Sequence, residues 1–246
     1  MHIKGYFLFF LFWGNVLSAQ TIIDHNRQRN IPIEIHQPKN ISNCTSTNKC
    51  AVAFLSAGYG VPHTKYNFIS EQLNKLDYLV ISIAHELPSD PPLSVKGDLY
   101  KTRSENWQRG ATTLDFLQKE LAPVYNNFDF KNLLLVGHSN GGDISAWLAN
   151  ERKPYIDQLI TLDHRRVPLP RNKAIKVTSI RASDFPADEG VLLTHSEQVT
   201  HKACIIKIPK SKHNDMSDFG PDWLKTKINI ILKTRLTEHS CFKNTS

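Results

Sequence analysis

Two short, unbroken apolar runs limit what this chain can fold into more than any other feature: residues 51–55 (AVAFL) and 133–136 (LLLV). Each leads within a few residues into a glycine-containing turn. A strand with one wet face alternates apolar and polar side chains. An unbroken run suits a strand covered on both faces, as in a parallel sheet with helices above and below. Residues 78–83 read as another strand, and 158–162, 175–180 and 204–208 as three more. Between them, apolar residues recur at helical spacing. Tyr66, Ile69, Leu73 and Leu76 form one set; Trp107, Ala111, Leu114, Leu117 and Leu121 form a second, stopped near Pro123. Residues 143–150 follow as a third helix, and a terminal helix carries Leu224, Ile228 and Ile231. Residues 31–35 alternate and contain Pro32, which suits a half-exposed edge strand. Alternating β and α segments predict one doubly wound α/β domain, with a mostly parallel sheet flanked by helices.

The first nineteen residues are of another kind. Lys4 precedes an apolar stretch at 5–17, and Ser18-Ala19 follows it. A bilayer-spanning helix needs about 20 apolar residues, whereas a signal-peptide core needs roughly 7–15. Residues 1–19 are therefore expected to be a cleaved leader and 20–246 a single exported domain, periplasmic or secreted. An uncleaved anchor and a buried N-terminal helix are the alternatives. No later apolar stretch is long enough to span a membrane. Export makes disulfides favourable. Of the three pairings open to Cys44, Cys50, Cys204 and Cys241, the preferred one joins Cys44 to Cys50 and Cys204 to Cys241, because a strand starting at Cys204 could face the C-terminal tail.

Chemistry enters at Gly137-His138-Ser139-Asn140-Gly141, a G-x-S-x-G placed directly after one apolar strand and before a helix. A serine on so sharp a turn takes strained backbone angles, so only small residues fit two positions either side. The turn lifts the hydroxyl above the sheet and sets the next N–H, that of Asn140, at a helix N-terminus, where it can stabilise an oxyanion.

With this element the chain resembles the α/β-hydrolase family, over nearly all of residues 20–246 and with no separate cap domain. The resemblance implies an order of Ser139, then an acid, then a histidine. It points to His213, the one histidine between the last strand and the final helix. It places the acid at Asp184, after the strand at 175–180, with Asp163 at the end of the preceding strand as the rival. Asp188 and Glu189 lie further out. The second oxyanion donor falls at Tyr59 in Ala57-Gly58-Tyr59-Gly60, where the family often has His-Gly-x-Gly and this chain has Ala57 in place of the histidine.

Two segments lie outside that scheme. His85 opens an irregular stretch of about 20 residues, of a length that tends to be functional; it is a possible substrate contact, or a hydrogen-bonded loop histidine. The basic residues Arg165, Arg166, Arg171, Lys173 and Lys176 read as a solvated face rather than as an anion or membrane site. They carry no aromatic interleaving or nucleic-acid motif, so no nucleic-acid partner is expected even at a net charge of +7. No metal or cofactor is expected: there is no C-x-x-C, and His85-Glu86 lacks the second histidine of a zinc-protease motif. The first reading is an exported serine hydrolase acting on carboxylic esters of a small-molecule or peptide acyl substrate. A serine peptidase or amidase is the second, and a non-catalytic binding protein on the same scaffold the third.

Overall fold

The computed structural model describes residues 17–238 and Cys241. Eight strands form one sheet among these residues. They are β1 (Leu17–Asp24), β2 (Arg29–His36), β3 (Cys50–Ser56), β4 (Leu79–Ile83), β5 (Phe128–His138), β6 (Ile156–Leu162), β7 (Lys176–Arg181) and β8 (Cys204–Lys207). Their order across the sheet is β1-β2-β4-β3-β5-β6-β7-β8. The β1–β2 and β2–β4 pairs are antiparallel and all others parallel. Helices α1 (Asn67–Asn74), α2 (Leu99–Leu121), α3 (Asn140–Asn150), α4 (His195–His201) and α5 (Asp222–Thr237) complete the fold.

The unbroken runs are buried on both faces, as parallel strands require. Along β3, Val52 and Phe54 join the core under α2 and α3, while Ala53 and Leu55 join the core under α1 and α5. Leu133 and Leu135 of β5 side with the first, Leu134 and Val136 with the second. Each fully buried aliphatic side chain contributes roughly 1.5–3 kcal/mol, and both layers depend on the same central strands.

Two local expectations need correction. The segment containing Pro32 is not an edge, because β1 pairs along β2 from Leu17↔His36 to Asp24↔Arg29. Pro32 lies one residue outside the β2–β4 register, which ends at Ile33↔Ile83, and its carbonyl accepts from Ala84 N–H. The loop opened by His85 is shorter than expected, since α2 starts at Leu99, two turns before Trp107. Those first turns are polar and show no apolar period; Asp98 caps them by accepting from the N–H groups of Tyr100 and Lys101. The short helix α4 had no apolar signature either, as none of its residues is buried.

Of the expected leader, residues 1–16 lie outside the described residues, and Leu17–Ala19 begin β1. The structure carries two disulfides, Cys44–Cys50 and Cys204–Cys241, with Cα separations of 5.0 and 5.6 Å. Such crosslinks belong to oxidising compartments. No described helix is long and apolar enough to cross a membrane. Cys204–Cys241 closes a sequence separation of 37 residues and Cys44–Cys50 one of 6. The chain-entropy relation then gives about 4 and about 2 kcal/mol respectively. Cys241→Ser is expected to lower the melting temperature more than Cys44→Ser, measured by calorimetry on oxidised protein. Equal losses would contradict the loop-length argument.

Candidate active site

Strands β5 and β6 run side by side in register, Gly137 beside Thr161 and His138 beside Leu162. The next residue on each is therefore Ser139 and Asp163, the first beyond the strand ends. Both have left-handed φ, 51° for Ser139 and 52° for Asp163. Each still continues the ladder through its N–H, Ser139 to the Leu162 carbonyl and Asp163 to the Ile180 carbonyl. Ser139, with ψ of −121°, lies outside the regions open to most L-residues, a strain of order 1–3 kcal/mol. The glycines make that turn possible. A Cβ on Gly137 would overlap the Gly141 carbonyl, and one on Gly141 the carbonyls of Ser56 and Ala57.

His213 opens a short turn after β8 and brings its ring between these two residues. Its Nε2 lies 2.9 Å from Ser139 Oγ, and its Nδ1 lies 2.7 Å from Asp163 Oδ2. Asp163 is fully buried. Its Oδ1 accepts from Ala182 N–H at 2.9 Å and pairs with Arg181 at 3.0 Å.

Asp184, the expected acid, is displaced from that role. It is exposed, and its Oδ1 accepts the backbone N–H of His213 at 2.8 Å rather than a ring N–H. The cause lies one residue earlier, where Ser183 N–H and Oγ both donate to the Ser211 carbonyl. That tie lays the loop along the main chain of the His213 turn. The neighbouring Phe185 stacks on the His213 ring, with centroids 3.8 Å apart.

Of the two backbone groups expected to face an oxyanion, Asn140 follows Ser139 directly and Tyr59 belongs to the loop that passes it. Asn140 begins α3. The 57–60 loop passes close to the serine: a Cβ on Gly58 would stand 3.3 Å from Ser139 Cβ. The N–H groups of Asn140 and Tyr59 carry no hydrogen bond among the described residues. The Asn140 side chain is fixed from behind. Trp107 Nε1 donates to its Oδ1, and its Nδ2 donates to Asn106 Oδ1 and Glu86 Oε1. Trp107 read as a core residue in the sequence, and nothing there marked the polar edge of its ring.

A second buried chain links the same parts. Gly58 N–H donates to Tyr66 Oη at 3.0 Å, and Tyr66 Oη meets His138 Nδ1 at 2.8 Å. His138 Nε2 lies 3.1 Å from the His213 carbonyl, which can only accept. The proton of His138 is therefore on Nε2, and Tyr66 donates to Nδ1. Burial, then the neighbouring His213, lowers the His138 pKa to about 3. His85 makes the loop hydrogen bond that was one of its two readings. It is 6% exposed and hydrogen-bonded to Ser56 Oγ at 2.9 Å. Its ring borders a cavity of about 250 Å³ behind Ala57 and Gly58.

The buried titratable groups set a pH dependence. Burial lowers His85, His138 and His164 to about 3 each. In the unfolded chain they take up protons near 6.5, so the stability they contribute above that pH is lost as pH falls below it. Asp143 opposes them. Burial raises it to about 6, so it gains its proton earlier in the folded state and adds stability as pH falls through 6. Three histidines outweigh one carboxyl. Stability is expected to fall by roughly 1–3 kcal/mol per unit between pH 6.5 and 5. Urea midpoints at pH 7, 6 and 5 test this; a flat or rising series would contradict it.

No protein-family model and no curated protein matches this chain in sequence. Solved structures do resemble it in fold. Esterase 2 of Thermogutta terrifontis, phosphorylated by paraoxon, is 10% identical with a TM-score of 0.65, covering 91% of this chain and 94% of that one. A Klebsiella pneumoniae protein assigned as a dienelactone hydrolase is 15% identical with a TM-score of 0.61, covering 89% and 98%. A ferulic acid esterase of Streptomyces cinnamoneus is 15% identical with a TM-score of 0.61, covering 94% and 83%.

Proposed function

We propose, from the α/β-hydrolase fold that this chain has, that it is an exported serine hydrolase cleaving carboxylic esters through Ser139, His213 and Asp163. The observation that carries this reading is the unbroken line from Ser139 Oγ through both ring nitrogens of His213 to the buried Asp163 carboxylate. A serine hydroxyl is a weak nucleophile at neutral pH and needs a base within hydrogen-bond reach. Ser139 Oγ attacks the acyl carbon while His213 Nε2 takes its proton. The carbonyl oxygen becomes an oxyanion facing the N–H groups of Asn140 and Tyr59. Asp163 holds the Nδ1–H tautomer and balances the imidazolium. The imidazolium then gives its proton to the departing alkoxide, leaving an acyl-Ser139. Water, deprotonated by His213, releases the acid and restores the serine.

Ester cleavage is favoured over amide cleavage by the fold neighbours, two of which are esterases. The two disulfides support export, and we place the leader at 1–19, whose removal leaves β1 to begin at Gln20. A fluorophosphonate probe on the mature protein, with peptide mapping of the labelled site, tests the chemistry; matched acyl esters and amides then test the leaving group. No label at Ser139 would refute the reading. N-terminal sequencing tests the leader, and an intact Met1 would refute it.

A further inference from the structure

The arginines that read as a solvated face are not all solvated. The chain leaves Asp163 as His164-Arg165-Arg166 and stays against the site. Ser139 C=O accepts from Asp143 N–H at 3.0 Å, and Asp143 Oδ1 accepts from both Arg166 N–H and Val167 N–H at 2.8 Å. The backbone of Arg166 is thus two hydrogen bonds from Ser139. Its side chain is only 9% exposed, yet its guanidinium makes no hydrogen bond among the described residues, and the buried Nε has only a long ion pair. Its nearest carboxylate oxygen, on Asp188, stands 3.9 Å away. Asp188 is already taken by Arg165 at 2.9 Å. Arg165 lies over the Phe185 ring at 4.7 Å, and Phe185 stacks on His213.

Arg103 of α2 lies within charge range of this group. Its Nε donates to the Ser94 carbonyl at 2.7 Å, and its remaining N–H groups have no hydrogen-bond partner among the described residues. Arg166 and Arg165 repel its charge, while Asp143 and Asp188 attract it. Arg103, Arg165 and Arg166 thus share the field of Asp143 and Asp188, and Asp143, which Arg181 also attracts, has an oxygen spent on backbone N–H groups. Burying a donor without a hydrogen bond carries a free-energy cost. A bound anion removes that cost, and the planar guanidinium fork matches a carboxylate.

We propose that Arg166 and Arg103 form a subsite beside Ser139 for a carboxylate carried by the substrate, so that the enzyme prefers anionic esters. This rests on the serine-hydrolase reading. The test compares kcat/KM within two matched pairs. One is the 4-methylumbelliferyl monoester of adipic acid against the hexanoate. The other is the butyrate ester of 4-hydroxybenzoate against that of 4-hydroxybenzamide. The wild-type enzyme is expected to favour the charged member of at least one pair by tenfold or more at low salt. Arg166→Gln and Arg103→Gln should each cut that ratio severalfold, with Arg166→Lys in between. Near-UV circular dichroism checks the buried Arg166 variants, and the half-buried Arg103 provides an independent variant. A wild-type ratio of one or below in both pairs would overturn the subsite. So would equal losses on charged and neutral esters, which would mark Arg166 as only a counter-charge to Asp143. Fluorophosphonate labelling separates the failures: labelled Ser139 with a ratio of one sinks only the subsite, and an unlabelled serine sinks both readings.

Discussion

Ser139→Ala is expected to lower turnover by about 10⁶ and to abolish fluorophosphonate labelling, with the fold intact. The magnitude follows from how triad members act, since without the nucleophile the base and acid have nothing to activate. The intact fold follows from the contacts. Ser139 Oγ bonds only to His213 Nε2 among the described residues, so its removal costs one hydrogen bond, about 1 kcal/mol. Alanine bears the same strained φ and ψ no worse than serine. Full labelling of the variant would mean that another nucleophile carries the chemistry.

Asp163→Asn is expected to cost roughly 10⁴ in turnover, because an amide facing Nδ1 favours the wrong imidazole tautomer. It also removes the counter-charge of Arg181, whose side chain is itself buried. The melting temperature should fall too, and activity should be assayed well below it. Asp184→Asn provides the contrast. An asparagine oxygen can still accept the His213 backbone N–H, so turnover should fall by less than about tenfold, the worth of one neutral hydrogen bond. If the two losses are reversed, the ring partner in solution is Asp184 and the Asp163 contact is incidental.

The choice between those two carboxylates marks where the sequence stops being legible. The strand runs were readable because burial on both faces leaves no polar residue in them. The turn at Ser139 was readable because its steric demands are local: Gly137 and Gly141 sit two positions either side for reasons internal to the segment. Asp163 offered only a subtle sign, as the first carboxylate after a mostly apolar strand, in the place just past the strand end that Ser139 holds on its own strand. Seeing them as equivalents requires the β5–β6 register. Whether His213 turns its ring toward Asp163 or Asp184 depends on the Ser183–Ser211 tie, which has no sequence signature. The strand β1 was hidden for another reason, since its first residues overlap the expected leader. Arg166 shows the limit for charge: composition counts a cation, and only packing reveals that its Nε is buried without a hydrogen bond.

The β5–β6 register has a consequence for how the protein reaches its active form. Ser139 and Asp163 belong to one strand–helix–strand crossover and are only 24 residues apart, so short-range pairing in the middle of the sheet aligns them. His213 comes from beyond β8, the last strand to be added at that edge, whose first residue is crosslinked to the tail after α5. Loop-closure entropy favours the crossover over the distant edge in the order of assembly. Regain of activity after dilution from denaturant therefore reports the docking of the final strand and the closing of its crosslink. Far-UV ellipticity, dominated by the central layers, is expected to recover ahead of it, and coincident recovery of the two signals would contradict this order of assembly.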